Sequence, residues 1–349
     1  MLRTVVGADT SGTDCDIREC EKLYPRPRTD VYVAVSLASL PARANLAQHQ
    51  ACLLSSMAEF KIKARNRQYE GLGDNEKEWT GPFCFIQGAD PQYGMIDDMA
   101  EKSPIGWATE IELTRKAVAA INTMKPKPKF FVLCGDLVHA MPEETGREKQ
   151  EVDFREEFSK VDPSIPLVCV CGNHDIGNTP TRASIQHFNE RFGDDYFGFW
   201  AGGIRFLVLN SQLYEDASKV EDLKKEQDAW LEAELEDAKS SGCKQLVLFQ
   251  HIPWFLKTAD EENDYFNIDK DIRIPMLDKF IAAGVNAIFC GHYHRNAGGV
   301  YKGMEEVVTS AMGCPLGEAP SGLRVVKVHE SSISHQYYAM DDIPAKVDL

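Results

Sequence analysis

Five short apolar runs in this chain each stop on a side chain able to bind a metal ion or an anion. Pro82 to Ala89 stops at Asp90, with Gln92 two residues on, and Phe130 to Gly135 stops at Asp136. Ile165 to Val170 leads into Cys171-Gly172-Asn173-His174-Asp175. Leu246 to Gln250 stops at His251, and Ala287 to Gly291 stops at His292, with His294 two residues further. One such stretch alone is an ordinary turn, because Gly, Asn and Asp are common turn formers. Repeated five times in order, the pattern describes a site.

Asp, His, Asn and Gln without thiolates make a mixed oxygen and nitrogen donor set. It suits Mn, Fe, Zn or Mg rather than a structural cysteine–zinc site. Two such ions sharing a carboxylate, about 3.5–4 Å apart, can clamp an in-line displacement at phosphorus. Two divalent cations offset by two aspartates and a bridging hydroxide leave a small positive charge, which draws phosphate.

The runs that carry these residues read as buried strands, and sites in open α/β sheets form at strand carboxyl ends. Asp90 and Asp136 are 46 residues apart, and Asp136 and Asn173 are 37 apart, lengths that suit strand–helix–strand crossovers. The spacing predicts helices over 105–124, 148–161, 222–240 and 272–283. Thr179 and Pro180 predict the cap and first turn of another helix, running to about Phe192. Residues 196–200 and 204–210, split by Gly202-Gly203, predict a hairpin inserted in the long connection between Asn173 and His251. Alternating segments near 307–308, 323–328 and 333–338 are expected to close a second sheet against the first.

Residues 1–80 carry 11 Lys and Arg against 11 Asp and Glu, and the remainder 27 against 43, giving a net charge of −16. An acidic body argues against nucleic acid or an anionic membrane as partner. Cys84, Cys134, Cys169, Cys171 and Cys290 sit within apolar runs, as free cysteines do in a reducing compartment. No signal-peptide layout or bilayer-length apolar run appears, so the expectation is a cytoplasmic protein without membrane insertion. Residues 1–78 are expected to be an extension of low order, with one helix over 42–63 and a basic patch from Lys61 to Arg67. The compact domain is expected over 79–340, followed by a tail at 341–349.

In order and spacing, Asp90-x-Gln92, Gly135-Asp136, Gly172-Asn173-His174-Asp175, His251 and Gly291-His292-x-His294 resemble the calcineurin-like metallophosphoesterases. The resemblance implies a four-layer α/β/β/α sandwich, two packed mixed sheets flanked by helices. It implies a metal site of Asp90, Asp136 and His294 with Gln92 beside them, and a second of Asn173, His251 and His292, bridged by Asp136. It also gives His174 the role of assisting the leaving group and Asp175 that of orienting it. A hydroxide bridging the two divalent cations would attack phosphorus directly. Gln92 departs from the family, where most members have His, and an amide oxygen is the weaker ligand. Arg295, just after the last motif, is a candidate contact for a phosphate oxygen, and His139 is expected at the rim or in packing.

The stretches Phe130 to Asp136, Gly172 to Thr179 and Gly291 to Gly299 are similar, more closely, to the vertebrate Ser/Thr protein phosphatases of that family. That similarity implies a phosphoprotein substrate, with the Akt kinase as one. The alternatives are a phosphodiesterase or nucleotide hydrolase on the same core, or a non-catalytic scaffold of the same fold.

Overall fold

A computed structural model describes residues 60–72 and 74–349. The helix expected from residue 42 therefore lies outside the described residues as far as 59, and residues 60–63 are irregular. Thirteen strands are seen among the described residues: β1 (Ala64–Arg65), β2 (Gln68–Tyr69), β3 (Phe83–Gly88), β4 (Phe131–Cys134), β5 (Leu167–Val170), β6 (Phe197–Ala201), β7 (Ile204–Val208), β8 (Leu246–Phe249), β9 (Val285–Cys290), β10 (Ala297–Tyr301), β11 (Met304–Val308), β12 (Gly322–His329) and β13 (Ser332–Ala339). They form an eight-stranded sheet in the order β1-β2-β6-β7-β8-β9-β11-β10 and a five-stranded sheet in the order β13-β12-β3-β4-β5. Both are mixed. The pairs β3–β4, β4–β5, β7–β8 and β8–β9 are parallel, whereas β12–β3, β12–β13, β6–β7 and β10–β11 are antiparallel.

Strand alternation sorts the core into three layers of contact. Phe85, Phe130 and Val132 on one sheet meet Phe206, Val208, Phe249 and Phe289 on the other, filling the space between sheets. Phe85 stacks on Phe130 at 4.7 Å and meets Phe249 edge-on at 5.7 Å, geometries that aromatic quadrupoles favour. The opposite faces carry the helices. Cys84, Ile86, Phe131 and Leu133 pack with helices Ala108–Thr123, Arg147–Phe158 and Arg182–Phe192. Leu207, Leu246, Leu248 and Ile288 pack with helices Glu221–Ser241 and Lys270–Ala283. The result is the expected four-layer sandwich.

Three expectations need correction. The five ligand-bearing strands do not share one sheet: β3, β4 and β5 lie in the smaller, and β8 and β9 in the larger. The C-terminal strands do not form a sheet of their own, since β12 pairs with β3 and β11 with β9. The helix expected from Thr179 starts later, at Arg182, where the Thr181 hydroxyl accepts the Ser184 amide at 3.1 Å. Thr179 instead donates its hydroxyl to Asp216 at 2.7 Å.

The packed body also reaches past both expected boundaries. Phe60, Ala64 and Tyr69 are buried, and β2 pairs with β6. From the basic patch, the Arg67 guanidinium lies 3.5 Å from the Tyr196 ring centroid and pairs with Asp195 at 2.8 Å. At the other end, Val347 is buried and donates its amide to Lys125 at 2.7 Å. Among the described residues, no helix is long and apolar enough to cross a membrane.

Candidate metal centre

The site forms where the carboxyl ends of β3, β4, β5, β8 and β9 converge between the two sheets. Leaving a strand abruptly while aiming a side chain back at its neighbours needs unusual backbone. Asp90, Gln92, Asp136, His292 and His294 all have positive φ, at 48°, 37°, 50°, 68° and 52°. L-residues with side chains adopt this region at a cost of order 1–3 kcal/mol each, and such strain gathers at functional sites. Glycines supply the remaining room. A Cβ on Gly172 would stand 2.3 Å from Asp136 Oδ1, and one on Gly291 2.6 Å from Asp90 Oδ2. This is why a glycine precedes Asn173 and His292.

Two groups of potential ligand atoms result, Asp136, His251 and His292, and Asp90, Asp136 and His294. Within each group the atoms lie within 4.8 Å of one another, and Asp136 belongs to both. Each imidazole is fixed from behind by a backbone carbonyl. His251 Nδ1 donates to Cys134 at 2.8 Å, His292 Nε2 to Tyr265 at 3.1 Å, and His294 Nδ1 to Cys314 at 2.7 Å. Although Asp90 also lies 3.9 Å from His251 Nδ1, the shorter carbonyl contact takes that proton. The opposite nitrogens, His251 Nε2, His292 Nδ1 and His294 Nε2, face the centre, where a bound cation would take their lone pairs as in metal-ligating histidines.

Two amides complete the surroundings. Asn173 Oδ1 lies 3.1 Å from His251 Nε2, while its Nδ2 donates to Asn178 Oδ1 at 3.0 Å, which fixes the oxygen inward. Gln92 is 1% exposed, and its Oε1 is buried with no hydrogen-bond partner. The donor set, with one shared carboxylate and an unpartnered buried oxygen, fits a pair of divalent cations.

Charge is concentrated here among buried side chains. Burial opposes ionisation of Asp136, yet His251 and His174 hold its carboxyl well below the usual range. Burial also works against His251, but Asp136 and Asp90 keep it up at about 9. His292, buried and beside His251, falls to about 3. Asp90 raises His294 against its burial. Buried carboxylates of this kind require a cation beside them, whether proton or metal.

His174 is buried at the start of the short helix Asn173–Ile176. Its amide donates to Asp136 Oδ1 at 2.8 Å, and its Nδ1 donates to the carbonyl of His139. Asp175 was expected to orient that ring. Both its oxygens are instead engaged by backbone, Oδ1 by the Leu137 amide at 3.0 Å and Oδ2 by the Gly172 amide at 2.8 Å. Burial, reinforced by Asp136, pushes the Asp175 carboxyl up to about 7. Asp175 thus ties together backbone from two parts of the loop, and the His139 carbonyl holds His174 Nδ1. Arg295 is partly exposed, with its guanidinium 4.9 Å from the Tyr293 ring centroid and Nη1 donating to the Tyr293 carbonyl at 3.3 Å.

Several contributors were not visible in the sequence. Arg147, buried, donates to the carbonyls of Ala140, His174 and Asp175 at 2.8, 2.7 and 2.6 Å and pairs with Glu151 at 2.9 Å, locking the loop from below. Contacts from a side chain to distant carbonyls leave no sequence signature. His139, expected at the rim or in packing, stacks on His174 at 5.0 Å between ring centroids. Burial and the His174 neighbour lower its imidazole to about 4. Its position three residues after Asp136, on the same loop, is the one signal that marked it.

A mixed α/β sandwich with paired ligand groups at its strand ends defines a metallophosphoesterase. The family model described as "Calcineurin-like phosphoesterase" matches residues 106–296, more than half the chain. The chain belongs to the calcineurin-like phosphoesterase family. It is 51% identical over 291 residues to the serine/threonine-protein phosphatase CPPED1 of Rattus norvegicus, covering 82% of this chain and 93% of the relative. Among solved structures, purple acid phosphatase PPD1 from yellow lupin seeds aligns with a TM-score of 0.53 at 13% identity, over 75% of this chain and 52% of that one. A dimetal phosphatase from Danio rerio aligns with a TM-score of 0.50 at 16% identity, over 74% and 99%. At these identities the two structures speak to the fold alone. The family match spans Asp136 to His294 and begins after Asp90 and Gln92.

Proposed function

We propose that the chain is a metal-dependent phosphatase acting on phosphoserine and phosphothreonine in proteins. The observation that carries the reading is the carboxylate of Asp136, shared by two ligand groups at the convergence of five strand ends. The substrate class follows from the serine/threonine-protein phosphatase that is half identical over most of its length.

In this reading Asp90, Gln92, Asp136 and His294 would hold one cation, and Asn173, His251 and His292, with Asp136 shared, the other. Once bound, such a pair supplies a water acidic enough to attack at neutral pH and positive charge for the phosphoryl oxygens. The carbonyls behind His251, His292 and His294 fix which nitrogen faces the centre. With Nδ1 committed to His139, His174 presents Nε2 to the leaving oxygen and donates the proton it needs. Asp175 and Arg147 hold the loop that carries Asn173 and His174. Arg295, partly exposed, would meet a phosphate oxygen in the same reading. The Akt kinase is a candidate substrate within this class, and the buried thiols of Cys84, Cys134, Cys169, Cys171 and Cys290 suit a reducing cytoplasm.

The direct comparison is turnover of a phosphoseryl or phosphothreonyl peptide against bis-p-nitrophenyl phosphate, with the same metal-loaded protein. The peptide should have the higher kcat/KM. A diester turned over as well or better would move the chain to the phosphodiesterases.

A further inference from the structure

The unpartnered oxygen of Gln92 is explained by what holds the other end of its amide. Gln92 Nε2 lies 3.3 Å from His139 Nδ1, and His139 Nε2 lies 3.3 Å from Asp98 Oδ2. A carboxylate at Nε2 draws the ring proton to that nitrogen and leaves Nδ1 as a lone pair. A lone pair needs a donor, and the only donor an amide offers is its NH2 group. The amide is thereby turned one way, and Oε1 is left pointing elsewhere, buried and without a hydrogen-bond partner. An unsatisfied buried acceptor costs about 1–3 kcal/mol, so this orientation makes sense if a cation meets the oxygen.

The chain of contacts is firmly set. The backbone N–H of Gln92 donates to the Asp136 carbonyl at 3.0 Å, and that of His139 to the Tyr93 carbonyl at 3.2 Å, tying the two loops together. Stacking on His174, with 22° between ring planes, fixes the His139 ring. The three histidines of the centre need no such arrangement, because each has a backbone carbonyl behind it. A glutamine has no second ring nitrogen to anchor in that way.

We propose that His139, braced by Asp98, is a positioning residue that turns the Gln92 amide so that its oxygen faces the first cation. The inference rests on the reading of Asp90, Asp136 and His294 as that cation's ligands. One residue then serves both halves of the centre: its side chain orients Gln92, and its backbone carbonyl orients His174.

Calorimetric titration of the metal-free full chain with Mn²⁺ tests this without reference to turnover. The wild type should bind two ions. His139→Ala should weaken one site about 10- to 100-fold, the range found when a ligand loses its outer hydrogen-bond partner, and leave the other unchanged. Asp98→Ala, at a side chain 47% exposed and therefore safe for folding, should weaken the same site. In a Gln92→His background, His139→Ala should cost nothing further, because an imidazole at 92 does not depend on that amide. Wild-type affinities in both His139→Ala and Asp98→Ala would overturn the inference, as would an equal loss in the Gln92→His background. Unchanged binding in Gln92→Ala would overturn it by removing Gln92 from the ligands. Fewer than two ions on the wild type would instead overturn the two-cation reading on which it rests.

Discussion

Asp136→Ala should eliminate measurable phosphatase turnover and both high-affinity metal sites together. The carboxylate belongs to both ligand groups, so no other single residue of the centre is tied to as much of it. Its Oδ1 also accepts the His174 amide at 2.8 Å, and its Oδ2 lies 3.3 Å from His251 Nε2. Losing it leaves three crowded imidazoles with Asp90 as the one carboxylate of the two ligand groups, and frees the loop that carries Asn173 and His174. The fall in kcat/KM should exceed the roughly 10²- to 10³-fold that removal of one preorganised electrostatic group costs. Turnover within tenfold of wild type would show that the shared carboxylate is not central.

His174→Ala should show the opposite pattern, with metals retained and chemistry lost. His174 stands outside both ligand groups, and its backbone amide, which serves Asp136, survives the substitution. Turnover of a phosphoserine peptide should fall by roughly 10²- to 10⁴-fold, the range for loss of a general acid. For p-nitrophenyl phosphate the fall should be much smaller, because p-nitrophenolate departs without a proton. Parallel kcat measurements on the two substrates check this. Equal losses would assign His174 to binding or positioning rather than proton donation.

The ligand-bearing strands could be read from the chain because of how they are buried. A strand covered on both faces loses its alternation and becomes a continuous apolar run, and a run that stops at Asp or His is conspicuous. Phe130 to Asp136 is such a case. Sheet membership was hidden for the same reason: Leu246 to Phe249 and Phe130 to Cys134 look alike, yet they belong to different sheets. Strand β10 escaped notice because Ala297-Gly298-Gly299-Val300-Tyr301 is only partly covered and has little apolar character. The two-residue strands β1 and β2 are too short for any periodicity, so the body was expected to begin about twenty residues too late. In the site itself, residue identity announced which side chains could ligate. It did not announce what holds them, since the carbonyls of Cys134, Tyr265, Cys314 and His139 are available in every sequence. Asp175, expected beside the His174 ring, accepts two backbone amides, because a carboxylate next to a histidine is as able to bind backbone amides as a ring.

Every expectation above depends on the chain building one dinuclear hydrolytic centre. Its most direct test is the metal content of the purified full-length protein, followed by elemental analysis through chelation and reloading while phosphopeptide turnover is recorded on the same samples. Two divalent ions per active chain are expected, with turnover lost in step with their removal and recovered on return of Mn²⁺ or a similar ion. Full turnover from a sample verified to be metal-free would contradict it.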